Sequence, residues 1–128
     1  MIQQANLDQI DNIAAVATKS SKELGFTRKV ALQEAVKRGE LLVDLGSFSF
    51  CEYHTRKDGW TVVYAICVAE ASRGKGIAKE FINKIPKPIF LKCTQSNPAN
   101  QFYERIGFKL VRTEPGRKQP LNIWILEK

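Results

Sequence analysis

The chain has 128 residues, 44% of them hydrophobic, a length that holds one domain spanning residues 1–128 with a substantial core. It carries 20 Lys and Arg against 13 Asp and Glu, a net charge of +7, and such a surface draws a polyphosphate ligand or nucleic acid. The absence of an N-terminal apolar segment of signal type, and of any run of about 18 apolar residues, argues against secretion and membrane spanning, so a cytoplasmic location without membrane partners is expected.

Met1 to Ala5 reads as an edge strand. Asn6 stands at a helix N-cap with Gln9 three residues on, as in a capping box, and Leu7, Ile10, Ile13, Ala14 and Ala17 form one apolar face up to Ser20 and Ser21. A second helix is expected after Gly25, capped by Thr27, running through Val30, Ala31 and Ala35 to a stop at Gly39. Glu40 to Leu45 and Ser47 to His54 then read as strands separated by Gly46. The polar stretch Thr55-Arg56-Lys57-Asp58-Gly59 contains the Asp-Gly pair of a hairpin and returns the chain into a strand from Trp60 to Val68. Three antiparallel strands therefore precede the most informative segment.

That segment is Arg73-Gly74-Lys75-Gly76-Ile77-Ala78, followed by Ile77, Ala78, Phe81, Ile82 and Ile85 at helical spacing. Glycines without side chains let several backbone N–H groups at a helix start point at one anion, where the helix dipole also favours negative charge. A diphosphate fits such a place; a plain turn is the competing reading. The spacing is neither Gly-x-x-x-x-Gly-Lys-Ser/Thr nor Gly-x-Gly-x-x-Gly, since Lys79 takes the last position, so neither an ATP P-loop nor a dinucleotide fingerprint is present. The charge is also divided here. Residues 1–72 hold 8 Lys and Arg against 9 Asp and Glu, whereas residues 73–128 hold 12 against 4.

Pro86 and Pro88 end the helix of residues 76–85, and Ile89 to Cys93 is a short buried-type strand, which makes a strand, helix, strand unit with neighbouring parallel strands. Asn97 then suits an N-cap, Pro98 the first helical position and Gly107 the left-handed residue past a short helix. Phe108 to Thr113 and Leu121 to Glu127 are strands joined by the turn former Glu114-Pro115-Gly116-Arg117. Cys51, Cys67 and Cys93 each lie in an apolar or strand-like run without metal-type spacing and read as buried free thiols.

Two separated signatures in this order resemble the Gcn5-related N-acetyltransferase (GNAT) family. Arg73, Gly76 and Ala78 match the family's Arg/Gln-x-x-Gly-x-Gly/Ala loop, and Tyr103, Gly107 and Phe108 match its Tyr-x-x-x-Gly-Phe helix end. Residues 1–8 are similar to its first strand and helix, so the resemblance covers nearly the whole chain. It implies an α/β (α+β) fold, with a central mixed, mostly antiparallel sheet of six or seven strands, splayed between the fourth and fifth strands and flanked by about four helices. It also implies acetyl-CoA as co-substrate, no metal, and direct attack of a primary amine on the thioester in a ternary complex.

Carried onto this chain, the backbone of Ile66, Cys67 and Val68 would pair with pantetheine, and a donor at Cys67 or Val68 would meet the thioester oxygen. The N–H groups of Arg73, Gly74, Lys75, Gly76, Ile77 and Ala78 would hold the diphosphate. Tyr103 would protonate the leaving thiolate, with Asn97 and Asn100 near pantetheine unless they only cap the helix. The chain departs from the family in having Ser96 seven residues before the tyrosine, where an asparagine is common, and no carboxylate on the strand of residues 60–68. Glu52, His54 and Tyr64 are the remaining candidates for a base. The acceptor stays open among a small molecule, a protein and an aminoacyl-tRNA, and a homodimer is compatible with the family. A non-catalytic CoA- or nucleic-acid-binding module of the same fold is the alternative, motivated by the missing carboxylate.

Overall fold

A computed structural model describes residues 1–19 and 29–128. The expected break at Ser20 and Ser21 and the cap at Thr27 lie outside the described residues. The strands form a seven-stranded mixed sheet in the order β1-β2-β3-β4-β5-β7-β6, with four α-helices among the described residues. Backbone proximity divides the chain into two compact units, residues 1–54 with 64–85 and residues 55–63 with 86–128.

In the first unit, β1 (Ile2–Gln4) runs antiparallel to β2 (Leu41–Asp44), which pairs with β3 (Phe50–Thr55) in the register Leu41↔Glu52 and Val43↔Phe50. The capping box at Asn6 and Gln9 forms as expected: the Asn6 side-chain Oδ1 accepts from Asp8 N–H, and Gln9 Oε1 accepts from Asn6 N–H. It opens a 3₁₀ turn, Leu7–Gln9, that leads into α1 (Ile10–Lys19). Leu7 is thereby turned out of the apolar stripe and is 54% exposed, because a 3₁₀ turn advances three residues per turn rather than 3.6. Ile10, Ile13 and Ala17 remain on the stripe and are buried.

The next helix, α2 (Lys29–Arg38), buries Leu32 and Ala35 and leaves Val30 exposed. It ends as expected at Gly39, which takes φ +72° while Gly39 N–H donates to Val36 C=O and Glu40 N–H to Ala35 C=O, the paired bonds of a Schellman motif. These helices pack on Leu41, Val43, Phe50, Ala65 and Cys67 in one apolar core. Strand β4 (Thr61–Cys67) supplies the last two of those residues and leads through a 3₁₀ turn, Glu70–Ser72, to α3 (Ile77–Lys84). Phe81 and Ile82 of α3 and the following Ile85 are buried.

In the second unit, residues 61–63 of β4 run parallel to Ile89–Leu91 of β5 (Ile89–Thr94). The preceding hairpin is closed as its Asp-Gly pair predicts. Gly59 takes φ +91°, Asp58 Oδ1 accepts from Trp60 N–H at 3.0 Å, and Arg56 N–H donates to Trp60 C=O. After α4 (Ala99–Arg105) the strands β6 (Lys109–Glu114) and β7 (Leu121–Leu126) form, with β7 inserted between β5 and β6 and a register shift between Leu110 and Arg112. Antiparallel pairing with both neighbours is how the chain's last strand gains two ladders of hydrogen bonds.

The end of α4 gives the Tyr-x-x-x-Gly-Phe pattern a physical basis. Gly107, at φ +107°, donates to Glu104 C=O, and Phe108 N–H donates to Tyr103 C=O at 3.0 Å. These are again Schellman bonds, and the apolar contact that accompanies the motif is the Phe108 ring against Tyr103, with centroids 5.5 Å apart. All three cysteines are free and buried. Among the described residues, no helix is long and apolar enough to cross a membrane.

Candidate functional site

The Gly-rich loop lies in the first unit, directly after β4. Ser49 is fully buried, and its Oγ accepts from Ala69 N–H at 2.8 Å, which ties the start of the loop to the β2–β3 connection. Ser72 N–H donates to Ala69 C=O to close the 3₁₀ turn, and Arg73 Nε returns to Val68 C=O at 3.2 Å. Arg73 therefore clips the loop to Val68, the residue just past the end of β4, which stops at Cys67 rather than at Val68 as expected.

Gly74 and Gly76 both take φ +82°, a left-handed conformation that costs an L side chain about 1–2 kcal/mol. A Cβ on either would meet nothing within 4 Å, so both face an open cradle rather than protein. Gly76 is also the N-cap of α3 and offers no capping side chain, while its carbonyl accepts from Glu80 N–H as the helix begins. The first-turn N–H groups of α3 have no side-chain cap and sit at the positive end of the helix dipole, as an anion requires. The residues present thus fit a diphosphate. Beside the loop, a cavity of about 570 Å³ is lined by Val16, Lys19, Ser47, Ala69, Glu70, Ala71 and Arg73.

The candidates for a base occupy three different surroundings. Glu52 is 8% exposed on the core-facing side of β3, in register with Leu41, and burial raises its pKa against the opposing pull of Arg38. His54 is engaged: its Nδ1 lies 2.8 Å from Glu40 Oε1, the same oxygen that accepts from Arg38 Nε at 2.7 Å. Sequence reasoning had not singled out Arg38 and Glu40. Their only signal was charge at the boundary of helix and strand, which a solvated surface shows equally well. Tyr64, on β4, is 57% exposed.

Tyr103, Asn97 and Asn100 belong to the second unit. Tyr103 is 5% exposed, its ring edge-on to Phe102 as well as tilted on Phe108. Asn97 Oδ1 accepts from Ala99 N–H at 2.9 Å, although the helix begins at Ala99 and its N-cap position falls on Pro98 rather than on Asn97 as expected. Asn100 does something the sequence did not disclose. Its Nδ2 donates to the carbonyls of Thr94, Gln95 and Asn97, and its Oδ1 accepts from Asn122 Nδ2 and Trp124 Nε1. An amide has two donor hydrogens and one acceptor oxygen, so within the protein both ends of this side chain are engaged. Burial pushes the Cys93 thiol up to about 11 and raises Cys51 further, with Glu52 adding to the latter, so neither forms a ready nucleophile.

The family model for the acetyltransferase (GNAT) domain matches residues 15–110. No curated protein matches the chain in sequence. Among solved structures, Ard1 from Thermoplasma volcanium superposes with a TM-score of 0.84 at 15% identity, covering 100% of this chain and 98% of that one. A GNAT-family acetyltransferase from Bacillus cereus gives 0.81 at 19% identity, with 100% and 96% covered. The ribosomal-protein-S18-alanine N-acetyltransferase from Escherichia coli gives 0.74 at 15% identity, with 99% and 92% covered. An aminoglycoside 6'-N-acetyltransferase solved in complex with coenzyme A gives 0.81 at 13% identity, with 99% and 96% covered.

Proposed function

Because the chain belongs to the GNAT acetyltransferase family, we propose that it transfers an acetyl group from acetyl-CoA to a primary amine, with residues 1–128 acting as one catalytic domain. The observation that carries this reading is the loop of residues 73–78. It has two left-handed glycines facing an open cradle, an arginine clipped to Val68, and a helix start without a side-chain cap. When bound, acetyl-CoA supplies an activated thioester. The N–H groups of residues 73–78 hold its diphosphate, and the backbone of Ile66, Cys67 and Val68 pairs with its pantetheine arm.

The remaining work falls to this chain's donors and acceptors. A backbone N–H at Cys67 or Val68 donates to the oxygen that becomes negative as the amine nitrogen bonds to the acetyl carbon. Tyr103 gives its proton to the sulfur as the carbon–sulfur bond breaks, and the proton lost by the attacking nitrogen leaves through water to a base. Glu52 is the base we favour, since burial raises its pKa and His54 is already held by Glu40. Solved relatives of this fold are named for a ribosomal-protein alanine and for an aminoglycoside, so the fold itself does not select the acceptor.

The test is release of the CoA thiol from acetyl-CoA by the purified protein against a panel of aminoglycosides, peptides with free N-termini and aminoacyl-tRNA. Turnover on at least one class above the acceptor-free rate is expected. Binding of acetyl-CoA with no turnover on any class would overturn catalysis in favour of a CoA-binding module.

A further inference from the structure

The second unit has one covered sheet face and one open one. In register across the strands, Val63, Leu91 and Trp124 share a face with Ile89 and Cys93, and all are buried. The opposite face presents the row Val62, Phe90, Ile125 and Lys109, then Lys92, Ile123 and Arg112, and then Thr94, Leu121 and Glu114. Apart from Ile123, every one of these is half-buried or exposed. Ile123 lies in register between Lys92 and Arg112, whose charged ends meet on Glu114 at 3.2 and 2.8 Å.

At one end of this face, planar groups gather. The Arg56 guanidinium lies 4.9 Å from the Phe90 ring centroid, and Trp60, half-exposed, meets Phe90 edge-on at 6.2 Å. Asp58 grips Arg56 through two bonds, at 3.2 and 2.8 Å, and so orients it. Around the cluster stand Lys57, Lys92, Lys109 and Arg112, all exposed. By sequence, this unit holds ten Lys and Arg against four Asp and Glu, while the unit with the Gly-rich loop holds ten against nine.

We infer that this open face of β4, β5, β7 and β6 is a binding surface for single-stranded nucleic acid. Positive side chains at strand spacing follow a phosphate backbone, and a half-exposed indole and a guanidinium plane, both set against Phe90, give unpaired bases a stacking platform. An acidic protein surface would satisfy the charges but would leave the planar cluster without a partner of its own geometry. The inference does not depend on the acetyltransferase reading, because every group in it belongs to the unit without the Gly-rich loop.

The experiment uses fluorescently labelled 20-nucleotide single-stranded RNA and DNA, followed by anisotropy without acetyl-CoA. Either oligonucleotide should bind, with a log–log salt slope of about −2 for roughly three phosphate contacts, and should quench the emission of Trp60. Trp60→Leu should abolish the quenching. Lys57→Glu with Lys109→Glu should weaken binding about tenfold or more, while circular dichroism and the stabilisation by acetyl-CoA stay as in the unaltered protein. Failure of both oligonucleotides to bind at low salt overturns the proposal. So does binding without tryptophan quenching that polyglutamate displaces as well as unlabelled RNA does, which would mark the face as a site for acidic protein.

Discussion

Tyr103 serves two purposes that one substitution separates. Its ring closes the end of α4 against Phe108 and Phe102, and its hydroxyl is the proton donor we propose. Tyr103→Phe keeps the ring, so stability measured by urea unfolding should fall by no more than about 1 kcal/mol, the usual net value of one hydrogen bond. Turnover should fall roughly 10²-fold with acetyl-CoA binding retained; normal turnover would remove the tyrosine from the mechanism. Glu52 is testable through pH. Burial raises its pKa, so the folded state holds its proton more tightly than the unfolded chain does. Its favourable contribution is complete below the ordinary carboxylate range and is lost as pH rises through the raised folded value. Glu52→Gln should therefore raise the melting temperature at neutral pH by an amount that vanishes in acid, and should cut turnover if Glu52 is the base. A melting-temperature gain that persists unchanged in acid would show that ionisation of Glu52 is not what costs stability.

At the scale of elements, Asn100 joins three pieces of chain through one amide: the end of β5 with its following loop, the start of α4, and β7 through Asn122 and Trp124. Asn100→Ala leaves several carbonyls and the Trp124 N–H without their partner, and each buried polar group so orphaned costs about 1–3 kcal/mol. Urea unfolding should show a loss of about 3 kcal/mol or more, whereas Asn97→Ala, which removes the side-chain acceptor of Ala99 N–H, should cost about 1 kcal/mol. Equal effects of the two would refute the joining role. The Schellman ends of α2 and α4 show the same economy: Gly39 and Gly107 accept left-handed backbone, and the residue after each sends its N–H back to the helix.

For the whole molecule, the stability should depend on acetyl-CoA by mass action. A ligand that binds only the folded chain, at 100 times its dissociation constant, adds about 2.7 kcal/mol, which should raise the melting temperature on the order of 10 °C. Arg73→Glu and Gly76→Asp should each remove that rise. The first sets a negative charge beside the diphosphate and breaks the clip to Val68; the second puts a carboxylate into the cradle on backbone at φ +82°. An undiminished rise in both variants would mean that the loop does not hold the ligand. The distribution of charge also differs from its reading along the chain. Dividing the sequence at residue 73 places the Gly-rich loop in the basic half, yet in space the loop belongs to the nearly neutral unit, and most of the excess charge lies in the other.

Much of this was legible in one dimension because it rests on local bonds. The capping box at Asn6, the Asp58-Gly59 turn, the glycine ends of α2 and α4, and the left-handed pair Gly74 and Gly76 each follow from backbone rules that act over a few residues. The strands of residues 61–67 and 89–94 were legible as apolar runs, but their period-two burial, which leaves Tyr64 and Lys92 exposed, was not. Nor were properties that depend on residues far apart. Val30 is exposed because helix rotation is set by what the helix packs on. Asn100 is committed because β7 comes to lie beside β5, some twenty residues further along, and His54 is held because Glu40 and Arg38 meet it across a helix end and a strand. The order β5-β7-β6, and with it the open basic face, was decided only in the tertiary structure, since strand pairing is a choice among distant partners that hydrophobic pattern alone leaves degenerate.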